Sequence, residues 1–197
     1  MKDCLFYIPG FGSNSKGDKA DAFRTLCASM DWNFVALDYP DSYDPEVVED
    51  AFVSKVKATT HGNALFFGTS LGGFWASYLA NKFNGRSLLV NPSMIPGETL
   101  QRYLTKSGKA TSFDGSVKSL TLEMAIAYFA YQSDTPRKTG NVVILCKDDE
   151  ILNHEIARLL FKDSSDLIVL DTGGHRATGQ LNIIIDAATR MMNREYT

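Results

Sequence analysis

The chain has 197 residues, with 20 Lys and Arg against 23 Asp and Glu and a formal net charge of -3. That length suits one domain with a full core, and 44% apolar with 22% charged residues is ordinary for a globular chain. No basic run is long enough to track a phosphate backbone, which disfavours a nucleic-acid partner. No apolar run approaches membrane-spanning length, so no membrane partner is expected, and the stretch from Met1 to Ile8 is interrupted too early for a signal peptide. Cys4, Cys27 and Cys146 form an odd set in apolar surroundings. They read as buried thiols in a reducing compartment, and the expected location is cytoplasmic.

Short apolar runs alternate with helical patterns along the chain. Leu5 to Ile8 reads as a strand, followed by the glycine-rich turn Pro9-Gly10-Phe11-Gly12-Ser13. Asp18 to Met30 reads as a helix with Ala22, Phe23, Leu26 and Cys27 on one face. Phe34 to Leu37 is a second strand. Pro45 to Ala58 is a helix with proline at its start and Val48, Ala51, Phe52 and Val56 as its apolar stripe. Ala64 to Phe67 is a third strand and Ser70 to Phe83 its helix. Ser87 to Val90, Val142 to Cys146 and Leu167 to Leu170 complete the strands, with helices over Ile151 to Phe161 and from about Ala177 to Met192. Continuous apolar strands mean burial on both faces, and the βαβ alternation predicts a mostly parallel sheet of about six strands flanked by helices.

Between Pro92 and Val142 the alternation stops and no strand is expected. Pro96 to Leu104 and Leu120 to Tyr131 read as helices around a polar stretch, Thr105 to Ser116. Two interpretations stand: a surface excursion, or a small cap of about residues 93–140 that carries Tyr103, Met124, Tyr128, Phe129 and Tyr131 toward a substrate.

The chemistry centres on Gly68-Thr69-Ser70-Leu71-Gly72, a G-x-S-x-G sequence between a strand and a helix. A serine on such a turn is lifted clear of the sheet, with the helix N-terminus beneath it. The Leu71 N–H then faces a developing oxyanion. The competing interpretation is a glycine-flanked serine that caps an ordinary helix. A serine hydroxyl needs a base. Of three histidines, His61 belongs to the amino edge of the sheet and His154 to a helix surface. His175, after Gly173-Gly174 at the end of the last strand, is expected at the carboxyl edge beside Ser70. The base needs a carboxylate, and Lys147-Asp148-Asp149-Glu150 follows the fifth strand in the order Ser, Asp, His. Spacing leaves Asp148, Asp149 and Glu150 open and leans to Asp149. Gly10-Phe11-Gly12 supplies a second oxyanion donor at the Phe11 N–H, and Gly10 lets the backbone approach the substrate. No metal-ligand spacing, P-loop or dinucleotide fingerprint is present, and no cofactor or metal is expected.

These blocks together resemble the small YqiA/YcfP-type esterases of bacteria over nearly the whole chain. The resemblance is carried by Leu5 to Ser13, by Gly68 to Ala76, by Leu89-Val90-Asn91-Pro92-Ser93 with Leu100 and Tyr103-Leu104, by Asp149-Glu150-Ile151-Leu152, and by Gly173-Gly174-His175. It implies an α/β-hydrolase fold in a single domain, with Asp149 as the triad acid. The implied activity is serine carboxylesterase action on small acyl esters or thioesters through an acyl-enzyme. The chain departs from the family's pattern at Pro9, where a histidine is usual, and it lacks a residue often found between Gly174 and His175. The other candidate functions are a peptidase or amidase on the same three residues, and a non-catalytic binding protein on a hydrolase scaffold.

Overall fold

Side chains alternate between two cores along each central strand, and this sets the layers. In the computed structural model, which describes residues 1–133, 140–163 and 165–193, Cys4, Phe6 and Ile8 enter one core while Leu5 and Tyr7 enter the other. The strands are β1 (Cys4–Ile8), β2 (Asn33–Ala36), β3 (Ala64–Thr69), β4 (Arg86–Val90), β5 (Lys109–Thr111), β6 (Val117–Ser119), β7 (Asn141–Cys146) and β8 (Ser165–Leu170). Six of them form a parallel sheet in the order β2-β1-β3-β4-β7-β8. The helices are α1 (Asp18–Ser29), α2 (Pro45–Ala58), α3 (Leu71–Lys82), α4 (Pro96–Thr99), α5 (Leu122–Ser133), α6 (His154–Phe161) and α7 (Leu181–Asn193). Residues of α1 and α7 build the core on one face; those of α2, α3, α5 and α6 build the other. This is the α/β-hydrolase fold expected from the sequence. Among the described residues no helix is long and apolar enough to cross a membrane.

β1 pairs with β2 on one side and β3 on the other. The chain therefore reverses its direction across the sheet at β1, and α1 and α3 leave on opposite faces. The carboxyl ends of β1 and β3 then open a crevice that neither helix fills, which is where ligands bind in such sheets.

Element boundaries follow local chemistry. Helix α2 spans the residues expected of it, with Pro45 in its first turn, the Asp44 side chain accepting from the Glu46 N–H, and Lys55 and Lys57 in its last turn. Helix α6 starts at His154 and not Ile151. The Ile151 and Leu152 N–H groups donate to Asp149 Oδ1, and Asn153 caps the helix by accepting from Glu155 N–H. Helix α7 starts at Leu181 and not near Ala177, because Ala177 has φ 51° and sits in a turn closed by Thr178 N–H to Gly173 O. The expected helix from Pro96 is the short α4 followed by a tight 3₁₀ turn, Leu100–Tyr103.

The largest correction concerns the polar stretch after Thr105. It contains an antiparallel hairpin, β5 with β6, where no strand was expected. The hairpin is stitched to the segment after β2: Tyr43 N–H donates to Ser119 O, Ser119 N–H to Asp41 O, and Lys118 Nζ to the carbonyls of Tyr39 and Pro40. Of the 93–140 segment, residues 134–139 lie outside the described residues.

Candidate active site

Ser70 sits between β3 and α3 with φ 55° and ψ -124°, a conformation that L residues rarely adopt. Backbone packing holds it there. A Cβ on Gly68 would lie 2.0 Å from Gly72 O, and one on Gly72 would lie 2.3 Å from Ile8 O. Only glycine lets the start of α3 pass so close to β1 and β3. The turn is pinned from the β4 side, where Ser70 N–H donates to Val90 O and Ser93 N–H donates to Ser70 O.

His175 Nδ1 lies 3.0 and 2.9 Å from the two oxygens of Asp149, whose side chain is 1% exposed. Burial by itself would raise the Asp149 carboxyl. The His175 hydrogen bond and the Leu152 and Ile151 N–H donors outweigh it and hold the group below its usual value. The neighbouring acids have different work. Asp148 accepts from the Gly173 and Gly174 N–H groups, and Glu150 accepts from the His175 N–H. Three consecutive carboxylates thus bind one loop, and only Asp149 reaches the imidazole.

Asn91 ties this loop to the elbow. It is buried with φ 42°, its Nδ2 donates to the carbonyls of Gly174 and His175, and its Oδ1 accepts from Cys146 N–H. Asn91-Pro92 enters the sequence reading only as part of the family resemblance, without a task of its own. The signal was a polar residue that ends an apolar strand at the carboxyl edge.

The turn after β1 is similarly braced. Gly12 N–H donates to Tyr43 Oη at 3.0 Å, Ser13 N–H to Gly10 O, and Phe113 N–H of the hairpin to Gly12 O at 2.7 Å. The Phe11 ring lies between Tyr43 and Tyr103, at centroid distances of 4.6 and 4.7 Å. Neither the Phe11 N–H nor the Leu71 N–H has an acceptor among the described residues. Tyr43 was missed by sequence reasoning, which stopped at Tyr39-Pro40.

A cavity of about 740 Å³ opens at this edge. Ser70, Leu71, His175, Gly10, Phe11 and Tyr103 all line it, so the sequence-derived residues converge there except two. Asp149 lies behind His175. Tyr128 does not reach the cavity: it is fully buried and accepts a hydrogen bond from Trp75 Nε1 at 3.3 Å. The reason is that α5 packs alongside α2 and α4, against the helical face of the sheet and not over its edge. Met124, Phe129 and Tyr131 are likewise absent from the lining, and Tyr131 donates to Glu49 instead. The wall beside Phe11 comes from the hairpin, through Thr111 and Phe113. His61 is half-buried with its ring edge-on to Phe6, and His154 opens α6 beside Glu155. Neither lines the cavity.

A family model described as an uncharacterised protein family, UPF0227, matches residues 4–187. The chain belongs to UPF0227. This is the group to which the YqiA/YcfP-type resemblance points. Solved structures similar to this UPF0227 chain share its fold at low identity. Est1E from Butyrivibrio proteoclasticus has a TM-score of 0.72 at 17% identity, covering 97% of this chain and 87% of that one. The alpha/beta hydrolase domain-containing protein 10 from mouse has a TM-score of 0.71 at 16% identity, with 96% and 89% covered. The esterase domain of a Rhodothermus marinus protein has a TM-score of 0.69 at 14% identity, with 95% and 87% covered.

Proposed function

We propose that this UPF0227 protein is a serine carboxylesterase acting on small acyl esters or thioesters, with Ser70 as nucleophile, His175 as base and Asp149 as its orienting acid. The observation that carries this reading is the bond from His175 Nδ1 to a buried, ionised Asp149, on a histidine that shares one cavity with a strained serine. A carboxylate only accepts, so the neutral imidazole carries its proton on Nδ1 and presents Nε2 as the basic nitrogen. Ser70 Oγ attacks the ester carbonyl and His175 Nε2 takes its proton. The carbonyl oxygen becomes an anion that receives the free N–H groups of Phe11 and Leu71. As the tetrahedral centre collapses, the alcohol or thiol leaves with the proton from His175. Water then gives a proton to His175 and attacks the acyl-serine; as this second tetrahedral centre collapses, His175 returns the proton to Ser70 Oγ, which releases the acid and restores Ser70.

The neighbours lend support of a general kind. One of those described above is an esterase domain, from Rhodothermus marinus, and Est1E has also been seen with ferulic acid bound. A small-molecule ester fits a cavity of this volume. The deciding experiment is hydrolysis of a short-chain aryl ester by the wild-type chain and by Ser70→Ala, together with labelling by a fluorophosphonate. Turnover and labelling that both vanish in Ser70→Ala support the reading. Full turnover by Ser70→Ala removes it.

A further inference from the structure

The cavity that holds Ser70 and His175 has one wall of a different character. Lys16 precedes α1, Lys19 lies in its first turn, and Arg176 follows His175; all three line the cavity. Among the described residues the lining contains one carboxylate, Asp18, and Lys16 also feels the Asp114 carboxylate from outside the lining. A protein with a formal net charge of -3 thus collects cations where a substrate would sit. None of the three forms an ion pair among the described residues. The Lys19 ammonium donates to the Arg176 carbonyl at 3.2 Å. The Arg176 guanidinium stacks on the Phe113 ring, 4.7 Å from its centroid. Stacking uses the face of the guanidinium and leaves its in-plane N–H donors aimed outward. A half-buried ammonium whose hydrogen-bond partner among the described residues is a carbonyl is under-compensated, and an anion would relieve it.

We propose that Lys19, Arg176 and Lys16 form an anion subsite in this cavity, and that the ester hydrolysed here carries a carboxylate or a phosphate. The inference rests on the assignment of Ser70, His175 and Asp149 as an ester-hydrolysing centre, and it adds the substrate's charge. Burial pulls the Lys19 ammonium down to about 8, so it is still mostly protonated at neutral pH. Arg176 lines the same cavity as Ser70 and His175, so the proposed charge belongs to the ester that acylates Ser70 or to its leaving group. The subsite selects between substrates and takes no part in bond making.

Two matched ester pairs test the proposal. In the first, para-nitrophenyl hexanoate is compared with the para-nitrophenyl monoester of adipate, which places a carboxylate at the end of the acyl chain. In the second, phenyl acetate is compared with phenyl acetate bearing a para phosphate, which places the charge on the leaving group. The expected result is an advantage of about tenfold in kcat/KM for the charged member of at least one pair. That advantage should disappear in Lys19→Met and in Arg176→Gln and shrink as ionic strength rises. Lys19→Met keeps the buried stem; if it does not fold, Arg176→Gln carries the comparison. Hydrolysis of the neutral esters with no advantage for either charged ester overturns the subsite and leaves the hydrolase reading standing. An advantage that persists unchanged in both variants also overturns it. If no ester is hydrolysed at all, the hydrolase reading fails, and calorimetric titration of adipate and of phenyl phosphate decides the subsite alone. Binding that is lost in Lys19→Met and Arg176→Gln supports it, and no binding overturns it.

Discussion

The serine and the histidine line one cavity, yet different physics places each of them. Ser70 is positioned by close backbone approach: Gly68 and Gly72 pack against main-chain oxygens, and among the described residues no charged side chain bonds to the turn. His175 is positioned by polar side chains, with Asp148, Asp149 and Glu150 gripping its loop from one side and Asn91 from the other. A steric mount ignores pH and salt and yields only to added volume. A mount of carboxylates is sensitive to protons and to the loss of one oxygen or nitrogen. The two halves of the site should therefore fail under different insults.

The sharpest test of that contrast is Asp149→Asn. It keeps the shape but offers an amide where Nδ1–H needs a carboxylate, so ester hydrolysis should lose on the order of a thousand- to ten-thousandfold in kcat while the fold survives. Gly72→Ala strikes the other mount. Its Cβ would meet Ile8 O at 2.3 Å, so unfolding should come about 1–3 kcal/mol earlier in a urea titration, with activity lost because Ser70 is displaced. Asn91→Ala takes one partner from the Gly174 and His175 carbonyls and from the Cys146 N–H. A cost of about 1–3 kcal/mol is expected from those buried polar groups, with kcat falling more than KM changes.

Acid should separate the mounts without mutation. Folding lowers the pKa of Asp149 from 3.8 and of Glu150 from 4.5. Below those values the unfolded chain takes up protons before the native state does. The stabilisation these groups give is therefore complete above about 4.5 and is lost as pH falls through their lower folded values. Thermal unfolding from neutral pH downward should be flat until that window, and Asp149→Asn should blunt the fall within it. The smallest effect is expected at the thiols. Burial pushes Cys4 and Cys27 up to about 12 and also raises Cys146. A thiol reagent should therefore find almost nothing to modify in the native protein at neutral pH and all three cysteines after denaturation.

How much of this was legible in the sequence depended on the kind of signal each part sends. The sheet strands announced themselves because burial on both faces makes them continuous apolar runs, as in Leu65-Phe66-Phe67 and Val142 to Cys146. The elbow was legible because its glycines are required by backbone contact. The hairpin was not. Each of its strands has three residues, only Ala110 among them is buried, and its stability comes from main-chain bonds to residues 41–43 far away in sequence. Tyr128 misled for a related reason: an aromatic on an amphipathic helix looks the same whether it faces a substrate or a core, and here Trp75 takes it into the core. Asp148 and Glu150 could not be told from Asp149 by spacing, since all three are used and only three-dimensional reach divides their roles.

The bond between Trp75 and Tyr128 gives the molecule a built-in optical gauge. The chain has two tryptophans. Trp75 is fully buried among aromatic rings of α3 and α5, while Trp32, ahead of β2, is only partly covered. Emission from Trp75 should be short in wavelength and quenched while α5 stays docked, and should redden as soon as water reaches the indole. With Trp32→Phe as background, one fluorescence trace would report whether the 92–133 excursion loosens before the sheet does, or melts together with it.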